Sequence, residues 1–560
     1  MDQQRPFLYL TLFFLGFLIW STWQQEHAPK SPTQAPVQTG VDSQSIPADS
    51  NTAASSDDIP NDITAAGANT VNQIPVADVS KNNNIKKIHI KTDVLDLYVN
   101  LQGGTIIQVD LPTYPVSLEE KDKATRIIDT KKGYAAQSGL IHRSKDSLKA
   151  PNHNAIFNAE FTEYTLAEGQ TNLVVPIEWT NQNGIKVTKR FIFERSKFLI
   201  NVEQQIDNQS TNSWAGSEYL HLTHGESASK GGFLTGVQTY TGAAYYKDKY
   251  EKVSFGDIED EKLNEQIKGG WLAMLQHYFV SAWVPPKDNE NTYYTKYYKE
   301  RENYVIGVMS PEKVVNAGNS HVFKNQFYVG PAIQSDLEAM SKGLDLTVDY
   351  GIFAFVSKPI FGVMDFIHKY VGNWGWTIIF LTMLIKLVFY YPSAISYRSM
   401  AKMKKMAPKI KAINEKYKND PQAKQKETFA FYKKEKINPL GGCLPMLIQM
   451  PVFMGLYWVL LEAVELRQAP WLLWYQDLSI RDPYFILPII MGASMWFQQK
   501  LNPPMMQDPM QQKIFTYLPL VFTVMFAMFP AGLVLYWVVN SILGIAQQWY
   551  ITRKILAEDG

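Results

Sequence analysis

The sequence predicts a multidomain chain: a polytopic α-helical membrane bundle of six transmembrane helices, joined to a large antiparallel β-sandwich domain outside the membrane. Three observations carry that prediction. Several runs are apolar enough and long enough to cross a bilayer, which takes about 20 residues. Residues 85–345 alternate apolar and polar side chains in the β manner instead of repeating with a helical period. Charge also divides the chain: the net over 560 residues is only +1, yet residues 1–345 hold 32 basic and 40 acidic side chains, while 346–560 hold 22 and 13. The single cysteine, Cys443, excludes a disulfide scaffold and a thiolate zinc cluster.

Residues 7–23, FLYLTLFFLGFLIWSTW, are uncharged, follow Arg5 and end on Trp20 and Trp23. They read as an uncleaved anchor occupying 1–23 with a cytoplasmic start. A cleavable signal peptide is the rival reading, but no small-x-small cleavage site follows closely. Residues 24–84 are rich in Gln, Ser, Thr, Asn and Pro and nearly free of aromatics. They cannot bury enough apolar surface to offset chain entropy, so a disordered spacer is expected. Strands are expected over 94–101, 106–111, 187–193 and 198–206, with a turn at Asn181-Gln182-Asn183-Gly184. His221, His224 and His277 fall in this 85–345 domain. No HExxH, paired-carboxylate or Ser/His/Asp spacing accompanies them, and a structural role is expected.

Beyond residue 348 the texture changes. Residues 353–370 present an apolar and a polar side just ahead of a span, which assigns 346–375 to an interfacial amphipathic helix. The insertion of five further spans is expected at 376–395, 444–464, 484–497, 515–529 and 533–550. Between the first two, residues 396–441 carry thirteen Lys/Arg against four acids. That excess makes the segment cytoplasmic, and the composition around Asn419-Asp420-Pro421 reads as a helical hairpin. Counting spans from there puts 24–345 outside and both termini inside. Lys402, Lys404, Lys405, Lys409, Lys433 and Lys434 on this hairpin serve either topology alone or recruitment of ribosomal RNA, anionic lipid or an acidic partner.

Lys386 carries the most chemical information. It falls in the middle of the 376–395 run, where a lysine costs about 2.5–3.5 kcal/mol to insert. No acid lies at comparable depth in another span, so a buried ion pair is not expected. Snorkelling is weak with apolar helix on both sides. A nucleophile and base dyad with Thr382, one turn earlier, is conceivable, but helix spacing alone makes such pairs common. The favoured account is a water-filled groove with polar lining from Gln449, Ser494, Thr523, Asn540 and Ser541. Fifteen of the nineteen methionines follow residue 345, which suits surfaces that accept varied apolar partners as well as ordinary core filling. No Walker loop or metal-ligand spacing occurs, so no nucleotide, cofactor or metal is expected.

Four runs carry a family resemblance: NPLGGCLPMLIQMPVF at 438–453, VELRQAP at 464–470, DPMQQK at 508–513 and FPAGLVLYW at 529–537. Together they resemble the YidC/Oxa family of membrane protein insertases, and residues 271–285 with the overall layout extend the likeness to its Gram-negative type. The resemblance implies a multi-pass protein of the inner membrane that is an insertase and chaperone, not an enzyme, without a small-molecule substrate. Its implied partners are nascent membrane proteins, the lipid bilayer, the Sec translocon and, weakly or transiently, the ribosome, since the tail carries only Arg553 and Lys554 as basic residues. It implies a hydrophilic groove open to cytoplasm and lipid, with Lys386 at a basic position usually held by arginine. Thr382 and Trp537 match positions implicated in substrate contact, a tyrosine being usual at 537, and Tyr536 lies beside the latter. The β domain is similar to sugar-binding supersandwiches, which makes it a periplasmic β-supersandwich. A secondary transporter and a membrane-tethered periplasmic glycan-active enzyme are the rival classes; the halves show no repeat and no midplane acid for ion coupling.

Overall fold

The alternation along 85–345 becomes two sheets packed face to face, one of eleven strands and one of eight. The computed structural model describes residues 86–142, 150–225, 240–417, 420–435, 444–501 and 509–558. The expected anchor at 1–23 and spacer at 24–84 lie outside those residues. Pairing is antiparallel throughout apart from Lys87–Lys91 against Glu163–Thr165. Strand Leu199–Asn208 shows why the sheets form: every second residue is buried, as a pleat with one face on a core demands. It pairs with Ile185–Glu194 on one side and Ser320–Pro331 on the other. The turn ahead of Ile185–Glu194 is built as its residues dictate. Asn181 Oδ1 accepts from the backbone N–H of Asn183 and Ile185, both at 2.9 Å, and Gly184 takes φ 86°. Trp271, Trp283, Tyr134, Tyr293 and Phe191 fill the space between the sheets.

The histidines take the expected structural roles. His221 is buried and hydrogen-bonded to the Tyr294 hydroxyl, and His224 is buried. His277 ties the β domain to the helices by donating Nε2 to Leu461 O at 3.0 Å.

Helices then follow. α1 is Ala354–Val371, α2 Trp374–Val388, α3 Tyr390–Lys416, α4 Pro421–Lys434, α5 Leu444–Glu462, α6 Ile486–Leu501, α7 Pro509–Phe526 and α8 Ala531–Glu558. Gly372, at φ 67°, ends α1 in the left-handed region, and Asn373 at once caps α2 by accepting from Trp376 N. The expected hairpin also has its predicted hinge: Asp420 accepts from Gln422 N and Ala423 N, with Pro421 opening α4. α8 is the hub, packing on α2, α3, α5 and α6, while α7 packs on α6 and α1 lies against α2 and α5.

One expectation needs correction. The run 376–395 is not one straight span, because α2 and α3 meet at a break with a 68° bend. Pro392 has no N–H to give Val388 O, so the helix stops at Phe389 and restarts with the proline in the first turn of α3. The hairpin's first arm therefore begins at Tyr390 and not at 396. Among the described residues Gly351–Val371 and Ala531–Lys554 are long and apolar enough to cross, and the bent pair makes a third if it is one span; the first of the six expected spans lies outside those residues. Ile448–Glu462 and Thr516–Phe526 are shorter apolar helices. The helix expected to lie in the interface is thus itself of spanning length and composition.

The β domain docks on the helices through the segment after α5. Arg467 Nη2 donates to Pro115 O at 2.7 Å and Val116 O at 3.0 Å, and Gln468 Nε2 donates to Pro115 O at 3.0 Å. Glu465 Oε1 accepts from Gln334 N at 3.4 Å. Burial pushes the Glu465 carboxyl up to about 7.

Candidate functional site: a polar face on the last helix

One face of α8 carries Tyr536, Asn540, Gly544 and Gln548 at four-residue intervals, which stacks them turn upon turn. Gln449 of α5 donates Nε2 to the Tyr536 hydroxyl at 3.0 Å and to Asn540 Oδ1 at 2.5 Å. One turn on, Gly544 leaves a space. A Cβ there would lie 3.4 Å from Lys386 Nζ, 3.5 Å from Gln498 Nε2 and 3.5 Å from the Tyr397 hydroxyl. α2, α6 and α3 thus each aim a polar head at one point on α8. A Cβ would sit at ordinary contact distance, so the space takes a small side chain, whereas one the size of leucine would fill the volume these groups share.

Lys386 stands in the last turn of α2, so the residue expected inside one continuous helix lies next to the break between two. The unpaired carbonyls at that helix end concentrate partial negative charge, a favourable setting for a cation. From Trp374 the helix has risen about 18 Å, a little over half of a hydrocarbon core of about 30 Å. The side chain is half-buried, and no carboxylate pairs with it among the described residues.

The other expected lining residues are placed differently. Thr382 is fully buried and donates its hydroxyl to Ile378 O at 2.7 Å. Ser494 donates to Met491 O at 2.7 Å and Thr523 to Pro519 O at 2.8 Å. These hydroxyl protons are spent on their own helices. A Cβ on Gly492 would lie 1.9 Å from Thr523 Oγ1, so that pair marks the close approach of α6 and α7. Ser541 is buried. Trp537 packs its ring on Phe453 and Phe526, with centroids 5.0 and 5.3 Å away. Lys386, Gln449, Tyr536 and Asn540 come together along α8; Thr382, Ser494, Thr523 and Trp537 support the helices around them.

The start of α8 is tied to the loop before α6. Ala531 N and Gly532 N at the start of α8 donate to Ile480 O at 2.7 Å and Leu478 O at 3.0 Å. Buried Asp482 accepts from the Tyr475 hydroxyl at 3.1 Å and from Leu487 N at 2.8 Å, which pins this loop to α6.

Comparison with known proteins now decides the family. Residues 87–363 match the YidC periplasmic domain and residues 366–558 the 60Kd inner membrane protein domain. A membrane protein insertase YidC from Thioalkalivibrio sulfidiphilus is 47% identical, with 99% of each chain covered. The chain belongs to the YidC family of membrane protein insertases. Another YidC relative, from Methylococcus capsulatus, is 45% identical over 99% of both chains. The crystal structure of an active YidC insertase with its first transmembrane domain resolved is 16% identical, covers 83% of this chain and 92% of its own, and gives a TM-score of 0.37. The protein is therefore an inner-membrane insertase and not an enzyme, and its β domain is the part matching the YidC periplasmic domain.

Tyr397 and Gln498, which meet Lys386 at Gly544, are the polar residues that sequence reasoning missed. Both lie just past the apolar stretches taken as spans, in polar sequence assigned to loops. The signal was Pro392, which restarts the helix early enough to bring Tyr397 back to α8. At the other end of the bundle Lys402, Lys404, Lys405, Lys409, Lys433 and Lys434 are exposed on α3 and α4. The opposite side of α3 buries Ala394, Tyr397, Met400 and Met403 against Ile551 of α8.

Proposed function

We propose that insertion runs through a hydrated groove along the polar face of α8, open to cytoplasm and lipid and closed on the periplasmic side by the loop before α6. The observation that carries this reading is the convergence of Lys386, Tyr397 and Gln498 on Gly544 with no acid pairing the lysine among the described residues. A cation in that setting is held by water, and water can be exchanged for the polar flank of a nascent chain. The flank rests transiently against Lys386, Gln449 and Asn540 while its apolar segment slides into lipid past α5 and α7. Met450, Leu520, Val521 and Val524 expose apolar surface along those two helices. Hydrophobic transfer drives the step, helped by the membrane potential on charged flanks.

In this arrangement residues 24–345 are periplasmic and both termini cytoplasmic. The exposed lysines of α3 and α4 recruit substrate on the cytoplasmic side, with the ribosome bound weakly or transiently. The protein works alone or with the Sec translocon. The test is site-specific photocrosslinking to a stalled nascent membrane protein. Probes at Gln498 and Asn540 should crosslink to the chain, whereas a probe at Trp549, exposed on α8, should not; equal yields from all three would reject the groove.

A further inference from the structure

The β domain holds a second polar site, away from the groove. A cavity of about 280 Å³ lies between the two sheets at the end where residues 285–291 cross. It is lined by Glu218, Leu220 and Val308 from the eleven-stranded sheet and by Phe323 and Asn325 from the eight-stranded one. Two buried polar groups on its lining are left with unused hydrogen-bonding capacity. Asn291 is 1% exposed, and its Nδ2 has no hydrogen-bond partner among the described residues. Glu218 is 4% exposed and accepts Gln204 Nε2 on one oxygen and Asn325 Nδ2 on the other, both at 2.6 Å. Each carboxyl oxygen keeps a further lone pair. Burial raises this carboxyl to about 7, against the bonds from Asn325 and Gln204 and the pull of the Lys189 charge.

A buried amide without a partner costs the fold about 1–3 kcal/mol. On the wall of a cavity of this size the donor is met by water or by a ligand that displaces it. The cavity chemistry narrows what that ligand is. An anion would meet Glu218, a cation would meet the Asn291 donor and Lys313 at the mouth, and an apolar molecule would leave both polar groups unpaired. An extended peptide pairs with a free strand edge, which a cavity between sheets does not offer. A hydroxyl group accepts and donates at once.

We propose that this cavity binds a small neutral polyhydroxylated molecule of monosaccharide size, one hydroxyl accepting from Asn291 Nδ2, a neighbouring one meeting the Glu218 carboxyl, and its C–H face resting on Phe323 and Leu220. The site is independent of the insertion groove. The full chain in lipid nanodiscs, free of glycosidic detergent, is titrated with glucose, galactose, N-acetylglucosamine and myo-inositol at millimolar concentration and read by saturation-transfer NMR. At least one should bind. Asn291→Ala should weaken it about tenfold, the worth of one good hydrogen bond. The same variant should leave the melting temperature unchanged or raise it, because it removes an unpaired donor; a purely structural asparagine would lower it. Asn289→Trp, at the half-buried mouth, should abolish binding without touching the floor. Absence of binding by all four compounds, binding indifferent to both variants, or stronger displacement by glucuronate or an N-acetyl dipeptide amide would overturn the proposal.

Discussion

Two lysines, one in each half of the molecule, are taken out of water in opposite ways. Lys189 in the β domain is fully buried and donates Nζ to Gly103 O and Ser138 O, both at 2.7 Å, beside the Phe157 ring. Burial lowers its pKa, and the nearby Glu218 charge works against that fall. Lys386 in the bundle has a helix end and two neutral polar neighbours around a glycine. The first cation is consumed by the architecture; the second is left available. A protein that stores a cation structurally gives it backbone carbonyls, whereas one that uses a cation leaves its donors to solvent or substrate.

Exchanging or removing either lysine tests that contrast, and the largest effects should fall on opposite properties. Lys386→Ala should cut insertion of substrates with charged translocated tails by tenfold or more while changing stability by only about 0.5 kcal/mol, the range of substitutions that break no buried partner. Lys386→Arg should retain insertion. Equal insertion by wild type and Lys386→Ala across several substrates would break the comparison. Lys189→Met should do the reverse, costing about 3 kcal/mol by stranding two buried carbonyls and the adjacent carboxyl. Thermal unfolding followed by tryptophan fluorescence reads it.

Gly544 sharpens the contrast on a smaller scale. Gly544→Ala puts a methyl at ordinary contact distance from the three polar heads and should be tolerated, whereas Gly544→Leu should fill their shared space and lower insertion severalfold at unchanged expression. The outer docking segment supplies a pH effect. Glu465 rises to about 7 in the folded protein, above an unfolded value of about 4.3, so the folded state binds more protons between the two. Its contribution to stability is present below the unfolded value and is lost as pH rises through about 7. Melting should therefore fall between pH 5.5 and pH 8, and Glu465→Gln should flatten that dependence. The smallest expected effect belongs to the hairpin: replacing Lys402, Lys404, Lys405, Lys409, Lys433 and Lys434 by Gln should slow insertion a few fold, and less at high salt, where screening already weakens recruitment.

The β domain was legible because its signals are local. Alternation over 198–206 and the Asn181–Gly184 turn each specify a strand or hairpin without help from the rest of the chain. Asp420-Pro421 likewise announces the start of α4. The bundle was harder, since an apolar run shows only that a segment avoids water and not where its helix stops. Pro392 decides the break after α2, yet it sits inside a run apolar on both sides, so Lys386 was placed mid-helix when it ends one. Gln449, Tyr536 and Asn540 were readable as polar residues within apolar sequence. The hydroxyls of Thr382, Ser494 and Thr523 were not distinguishable from them by type; only helix geometry shows that each bonds its own backbone. Tyr397 and Gln498 escaped because both lie beyond the apolar limits from which spans are drawn.

Access of water to position 386 tests the central claim most directly. In a chain carrying Cys443→Ser and Lys386→Cys, a membrane-impermeant maleimide applied from the cytoplasmic side should label the new thiol at a rate close to that of a cysteine placed at Lys402. Labelling no faster than at exposed Leu384 on the apolar surface of the same helix would contradict the groove and, with it, the role assigned to the lysine.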